Sequence, residues 1–264
     1  MKKHRMIYRT LILTAILFIA LVFNASLVFS ECSDVPDYAA VSTALSAVVA
    51  AGGNEGLGNN MWATVVDRDG IVCAVARTGV IGEQWPGSRV ISAQKANTAN
   101  AFSLPGLALS TANLYSAVQP GGSLFGLQES NPVNPVVAYA GKAVDYGTIA
   151  DPMVNEKIGG VNVFGGGLSL YNDSGKLVGA IGVSGDTSCT DHITAWKVRD
   201  ALGLDRLDVN PTAGVSPTGD DNIIFDITRR HHNFQSKSGF GHPECGFGER
   251  PIAESLPTTH PVGP

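Results

Sequence analysis

The chain has 264 residues and a formal net charge of −5, with 44% hydrophobic and 16% charged residues. The first 30 residues hold four basic residues and no acid, so the other 234 carry 14 Lys and Arg against 23 Asp and Glu, a net charge of −9. This acidic balance excludes nucleic acid and anionic membrane as expected partners, because both are bound through clustered Lys and Arg. The hydrophobic content is enough for a folded core.

Residues 1–30 have the order of a secretory signal peptide. An apolar run at 11–23, interrupted only by Thr14, follows four basic residues and precedes a cleavage region that ends at Ser30. The basic residues are Lys2, Lys3, Arg5 and Arg9. We therefore predict a periplasmic or secreted protein with no membrane attachment after cleavage. The alternative is an uncleaved anchor, because the apolar character continues to Phe29.

The first half of the remaining chain predicts helix, hairpin and helix. Apolar residues spaced along one face predict a helix over residues 37–51. Residues 61–67 and 71–77 predict two β-strands joined by a polar turn that ends at Gly70. Residues 88–102 predict a second helix, with a flank of small residues that can approach a sheet closely. The small residues of this flank are Ala93, Ala96 and Ala99.

The second half repeats the hairpin and ends in a polar tail. Residues 120–160 are rich in Pro, Gly and Asn and predict a long loop excursion. Strands are then predicted at 168–171 and 176–183, followed by a helix at 190–202. Because strands and helices do not alternate as in a parallel sheet, we predict an α+β fold with an antiparallel sheet flanked by helices.

Three segments make up the predicted domain organisation. They are the signal peptide at 1–30, a globular domain at 31–207 and a loop-rich extension at 208–264. The extension contains one strand-like piece at 222–227 and is expected to wrap the domain or to meet a partner.

Four cysteines follow the signal peptide: Cys32, Cys73, Cys189 and Cys245. An even number in an exported chain predicts two disulfides, which can be arranged in three ways. We favour Cys189 with Cys245, which ties the extension to the start of the last helix, and therefore Cys32 with Cys73. The alternative for the His-Pro-Glu-Cys run at 242–245 is metal binding, but no second pair of ligands accompanies it.

Common catalytic motifs are missing from the sequence. It contains no Gly-x-Ser-x-Gly, no His-Glu-x-x-His and no phosphate loop, so serine hydrolase, zincin and NTPase functions are excluded. Gly179, Gly182 and Gly185 lie in a predicted strand, where they favour close packing of a helix or a ligand over dinucleotide binding.

The densest polar cluster is residues 184–192, between the last strand and the last helix. Helix capping accounts for its hydroxyls and for Asp191. His192 is harder to explain as a cap and is a candidate haem or metal ligand, with a surface histidine as the alternative. The extension carries His231, His232, His242 and His260, each individually expected to be solvated.

Several stretches together resemble the haem-binding and haem-degrading HbpS/GlcG family over residues 37–205. They are residues 63–77, the Ser-Ala-Gln-Lys-Ala-Asn-Thr-Ala run at 92–99, Gly166-Gly167-Leu168, the Gly-Ala-Ile-Gly-Val-Ser-Gly run at 179–185, and Asp191. The resemblance implies a profilin-like α/β/α domain with a central five-stranded antiparallel sheet, and symmetric homo-oligomers. It also implies binding of haem, a related tetrapyrrole or a small acid.

The resemblance places a ligand site where the 92–99 helix, the Gly166 bend and the 184–192 segment converge. The expected ligand-binding residues are Lys95, Thr98, Gly166, Gly167, Ser184, Asp191 and His192. In this hypothesis Lys95 pairs with a propionate or carboxylate. His192 and His242 are the candidate metal ligands, with His192 ranked slightly first.

Three functions stay open at this point. The preferred one is an exported protein that binds haem or another small ligand, because the sequence shows no nucleophile with its base and no metal triad. The second is a small-molecule enzyme, such as a haem-degrading enzyme or an oxidoreductase, with Lys95, Asp191 and His192 as polar site groups. The third is a structural subunit of an oligomer. No catalytic residue is assigned.

Overall fold

The computed structural model of the protein describes residues 32–209, 212–230 and 233–263. The predicted signal peptide, His231 and His232 therefore lie outside the described residues. None of the helices in the described ranges is long and apolar enough to cross a bilayer.

A central antiparallel sheet is built from the two predicted hairpins. Its strands are β1 (Trp62–Asp67), β2 (Val72–Arg77), β3 (Gly167–Tyr171) and β4 (Leu177–Ser184). Their order is β2-β1-β4-β3, with every neighbouring pair antiparallel. The four predicted strands are confirmed, and the N-terminal and C-terminal hairpins meet where β1 pairs with β4.

The expected fifth strand is wrong for the part of the chain that the structure describes, where the sheet has four strands. At the β2 edge the loop excursion pairs with Val72 alone, through hydrogen bonds from Val72 N to Glu156 O and from Asn155 N to Val72 O. Asn155 has a φ of 68°, a left-handed conformation that turns the chain away from the sheet. Pairing therefore ends after one residue.

Helices cover both faces of the sheet. In chain order the helices are α1 (Tyr38–Ala51), α2 (Ser88–Phe102), α3 (Leu127–Ser130), α4 (Pro135–Ala138), α5 (Ser188–Ala201) and α6 (Glu249–Thr259). Helix α2 packs on one face against β1, β3 and β4, whereas α1 and α5 pack on the other. The expected helix, sheet and helix layers are therefore present.

Alternation along the strands divides the core between the two faces. In β1, Ala63 and Val65 belong to the cluster shared with α1 and α5, whereas Trp62 and Val66 belong to the cluster shared with α2. Successive side chains of a strand point to opposite faces, so one strand serves both layers. Burial of both sets explains why these strands are mostly apolar.

The predicted close approach of α2 to the sheet is confirmed at Gly182. A Cβ on this residue would collide with the carbonyl oxygen of Ser92 and lie 2.5 Å from the nitrogen of Ala96. The three alanines of the predicted flank are fully buried. Small residues on both partners therefore set the distance between α2 and β4.

The extension is more structured than predicted. The strand expected at 222–227 is wrong, because residues 222–226 are not in a strand and bond instead to side chains of the domain. A separate hairpin follows, formed by β5 (Ile227–Arg230) and β6 (Asn233–Ser236). Helix α6, near the end of the described chain, was not predicted from the sequence.

Both predicted disulfides are confirmed. Cys32 is bonded to Cys73 with a Cα–Cα distance of 5.4 Å, and Cys189 is bonded to Cys245 with a Cα–Cα distance of 6.1 Å. The first bond ties the segment before α1 to β2. The second ties the extension to the first turn of α5.

Candidate functional site

A buried ion pair joins the two helical layers at one end of the sheet. Lys95 Nζ on α2 lies 2.6 Å from Asp191 Oδ2 on α5, and it also donates to the carbonyl oxygen of Val183 at 3.1 Å. Lys95 and Asp191 are only 1% and 2% exposed. The predicted convergence of the Lys95 helix with Asp191 is therefore present, with the ammonium already paired.

Burial governs the protonation of this pair. It raises the pKa of Asp191 to about 6, although the Lys95 charge and hydrogen bond act in the opposite direction. It lowers the pKa of Lys95, against the opposing charge of Asp191. Desolvation thus outweighs the mutual attraction at both ends of the pair.

The glycines at 165–167 form the bend that brings β3 against these groups. Gly166 has a φ of 120°, and a Cβ there would collide with the carbonyl oxygen of Val183 and lie 3.0 Å from Lys95 Nζ. A Cβ on Gly167 would lie 2.5 Å from the carbonyl oxygen of Lys95. Protein atoms therefore already occupy the space beside both glycines.

His192 is fully buried in the first turns of α5. Its Nε2 lies 3.2 Å from Asn222 Oδ1 and accepts from the Ile223 backbone nitrogen at 3.1 Å. Among the described residues its Nδ1 has no hydrogen-bond partner. Burial lowers the pKa of His192 to about 3, so the imidazole is neutral. Because its Nε2 accepts from Ile223, its proton is on Nδ1, and a ligand of Nε2 would have to replace this hydrogen bond.

His242 lies on the other side of Gly165. The Gly165 backbone nitrogen donates to His242 Nε2 at 3.4 Å, and a Cβ on Gly165 would lie 3.0 Å from the Cβ of His192. His242 Nδ1 lies 2.8 Å from the Pro243 carbonyl oxygen. Burial lowers the pKa of His242 to about 4, so it too is neutral.

Thr98 and Ser184 are the remaining predicted ligand-binding residues; Thr98 is on α2 with Lys95, and Ser184 follows Val183 on β4. The Thr98 hydroxyl donates to the Gln94 carbonyl oxygen at 2.7 Å and accepts from the Asn162 backbone nitrogen at 2.9 Å. Ser184 ends β4 opposite Trp62 in the register. Thr98 thus positions the segment that leads into the glycine bend.

Two clefts open beside the extension. The larger, of about 870 Å³, lies between residues 115–123 and the β5–β6 hairpin and is also lined by Pro243. The smaller, of about 300 Å³, is lined by Asn222, Ile223 and neighbouring residues of the extension. Lys95 and Asp191 line neither of these two clefts.

Each of the two histidines contacts residues that line one of the clefts. The His242 ring packs on Tyr115, which lines the larger cleft, at a centroid distance of 5.1 Å. His192 touches Asn222 and Ile223, which line the smaller cleft. Tyr115 and Asn222 were not predicted, because no local motif marks a residue that acts through contacts far along the chain.

Comparison with known proteins places the domain in a family. The model of the family described as "Haem degrading protein HbpS-like" matches residues 37–199, which is more than half of the chain. The chain belongs to the HbpS-like family. The resemblance noted in the sequence is thereby confirmed, and the match ends near the end of α5. No curated protein matches the chain.

Three solved structures are similar to part of the chain. Protein ORFY from Klebsiella pneumoniae is 27% identical, with 62% of this chain and 88% of that chain covered and a TM-score of 0.42. PduOC in complex with heme is 23% identical, with 62% and 89% covered and a TM-score of 0.43. A double mutant of HbpS from Streptomyces reticuli is 21% identical, with 68% and 98% covered and a TM-score of 0.41.

Proposed function

We propose that this HbpS-like protein binds haem or a closely related tetrapyrrole. The observation that carries the proposal is the pair of buried, neutral imidazoles of His192 and His242 on either side of Gly165, at the end of an HbpS-like domain. Histidine nitrogen is a common axial ligand of haem iron. Two candidate nitrogens therefore lie close to one glycine bend.

The larger cleft supports His242 as the ligand ahead of His192. Its volume of about 870 Å³ falls within the roughly 300–1,000 Å³ of pockets that hold cofactors. His242 packs on Tyr115 and precedes Pro243, both of which line this cleft, and its Nε2 is held by one long hydrogen bond. His192 keeps shorter contacts, which a ligand would have to replace. Our proposal therefore reverses the order expected from the sequence.

In this proposal the other predicted site residues hold the helices and the glycine bend in position. The Lys95–Asp191 pair holds α2 to α5, and Gly166, Gly167 and Thr98 hold the bend on which His242 rests. Ser184 ends the strand beneath them. Lys95 would reach a propionate only by giving up Asp191, so its role is to position the bend.

Bound haem would supply an iron centre for redox chemistry, which the enzyme alternative requires. The residues of this chain would supply an axial nitrogen and exclude water from it, since both histidines are buried. No contact between a nucleophile and a base in the described residues singles out a reaction. Binding therefore has more support than turnover.

Hemin titration of the disulfide-bonded protein tests this function. We expect a shifted Soret band with one hemin per chain, lost or weakened at least about ten-fold in His242→Ala and less affected in His192→Ala. His260→Ala serves as a matched control, because this histidine also belongs to the extension, caps the C-terminus of α6 and lines neither cleft. A wild-type spectrum unchanged by hemin would refute binding and favour the structural-subunit function.

Export and self-association are part of the same proposal. The secretory pattern of residues 1–30 and the two disulfides support cleavage after Ser30. We expect the natively expressed protein to begin at Glu31 and to form a homo-oligomer. Intact mass and light scattering measure both, and a mass that includes Met1 would support the membrane anchor instead.

A further inference from the structure

We propose that Cys189, His242 and Cys245 form a binding site for Zn²⁺ when the two cysteines are thiols. The ligand atoms of these three residues all lie within 4.8 Å of one another. The Cα atoms of the two cysteines are 6.1 Å apart. This site goes beyond haem binding, because it uses the disulfide that ties the extension to α5.

The geometry is close to what zinc requires. Zinc binds thiolate sulfur at about 2.3 Å and imidazole nitrogen at about 2.0–2.1 Å in a tetrahedron, so its ligand atoms lie about 3.5–4 Å apart. The imidazole nitrogen therefore needs to approach the sulfurs by at most about 1 Å, while the two sulfurs separate. Two cysteines and one histidine leave the fourth position open for water, as in known catalytic zinc sites.

The surroundings favour a negative charge on Cys245. Its sulfur accepts a hydrogen bond from the Cys189 backbone nitrogen at 3.2 Å, and the Ser188 hydroxyl lies 3.5 Å away. Both donors belong to the first turn of α5, where free backbone N–H groups stabilise anions. Two thiolates would balance the charge of one Zn²⁺, so a buried site would carry no net charge.

Disulfide and metal are alternative states of the same cysteines. A trialkylphosphine opens the disulfide by transferring two electrons to the sulfurs, while water supplies the oxygen of the phosphine oxide and the two thiol protons. Zn²⁺ then displaces both thiol protons as two Zn–S bonds form. A newly made chain reaches this state without a reductant, since its cysteines begin as thiols.

A second group of similar composition provides an internal comparison. Cys32, Asp67 and Cys73 also lie within 4.8 Å of one another. There, however, Asp67 Oδ1 accepts two short hydrogen bonds, from the backbone nitrogens of Asp69 and Ile71 at 2.9 Å each, whereas His242 Nε2 accepts one hydrogen bond, at 3.4 Å. These three residues are also partly exposed. We therefore expect the metal to select the group that contains His242.

Cobalt titration of the phosphine-reduced chain, without haem, tests the site. Co²⁺ substitutes for Zn²⁺ and gives a thiolate-to-cobalt charge-transfer band in the near ultraviolet. We expect this band with one equivalent of Co²⁺ in the wild type and in Cys32→Ser/Cys73→Ser. We expect it to be lost in Cys189→Ser/Cys245→Ser and the affinity to fall at least about ten-fold in His242→Ala.

The proposal is overturned if Cys189→Ser/Cys245→Ser keeps the band, or if the reduced wild type shows none. Circular dichroism follows folding in every sample. Should reduction unfold the chain, Co²⁺ is expected to restore the native spectrum in Cys32→Ser/Cys73→Ser, and failure to restore it also refutes the site. Hemin binding is measured on the oxidised protein, so either proposal can fail without the other.

Discussion

Replacing Asp221 with Ala is expected to lower the free energy of unfolding by about 3–5 kcal/mol. Arg199 of α5 donates to the two oxygens of Asp221 at 2.7 and 2.8 Å, and both side chains are 0% exposed. The substitution leaves the Arg199 guanidinium buried, with the Ser169 carbonyl oxygen, at 3.2 Å, as its remaining hydrogen-bond acceptor among the described residues. An uncompensated buried charge is more costly than a missing surface contact.

Urea denaturation at neutral pH measures this effect. Asp34→Ala is the matched control, because Asp34 pairs with Lys176 at 2.7 Å while their side chains are 56% and 62% exposed. The control is expected to change the free energy of unfolding by less than about 1 kcal/mol, as is usual for surface pairs. Equal effects of the two substitutions would show that burial of the Arg199–Asp221 pair is not decisive. Since Asp221 belongs to the extension, a large effect would also show that the extension stabilises the domain.

Acidification from pH 7 to pH 5 is expected to reduce the free energy of unfolding by about 2 kcal/mol for each of His192 and His242. Burial lowers the folded-state pKa of the two histidines to about 3 and about 4, below the ordinary histidine pKa of 6.5. Below pH 6.5 the unfolded chain therefore binds protons that the folded chain does not. Stability is present above the unfolded pKa and is lost as the pH falls toward the folded pKa.

Asp191 acts in the opposite direction within part of the same range. Its folded-state pKa is raised by burial to about 6, so folding takes up a proton between about pH 4 and pH 6 and offsets part of the loss. Urea midpoints at pH 7, 6 and 5 measure the net slope. His192→Gln and His242→Gln should each flatten the slope, whereas unchanged slopes in both variants would contradict the assignment to these histidines.

Local pattern was sufficient to predict the elements of the domain. The helix predicted at 88–102 matches α2, and that predicted at 190–202 matches α5 to within two residues. Apolar periodicity and turn residues are local features, so they were sufficient to locate these two helices. The alanine flank of α2 and Gly182 of β4 also predicted the close packing of this helix on the sheet, because close approach requires small side chains on both elements.

The extension escaped prediction because its structure depends on distant contacts. The side-chain amide of Asn222 donates to the Ala253 carbonyl oxygen, and the backbone carbonyl oxygen of Asn222 accepts from the side-chain amide of Asn113. Side-chain hydrogen bonds therefore replace the strand pairing expected at this position. Helix α6 was missed because the extension was predicted to be loop-rich. The helix contains two prolines, but Pro251 lies in its first turn, where proline is tolerated.

The candidate site was predicted in part. The convergence of the Lys95 helix with the 184–192 segment was predicted, as were the two histidines as candidate ligands. The ion pair of Lys95 with Asp191 was not predicted, because Lys95 was expected to pair with a ligand carboxylate, and neither was the burial of His242, which was expected to be solvated. Whether a histidine is solvated or enclosed depends on the segment that covers it. For His192 that segment lies about thirty residues further along the chain, at Asn222 and Ile223.

The order of the two disulfides along the chain has a consequence for assembly during synthesis. Cys32 bonds to Cys73 and Cys189 to Cys245, so the two covalent loops follow one another without overlapping. A chain that emerges from its N-terminus into an oxidising medium presents its cysteines in this same order. Joining each cysteine to the next one that appears therefore produces the native connectivity directly, and no wrongly joined pair has to be reshuffled.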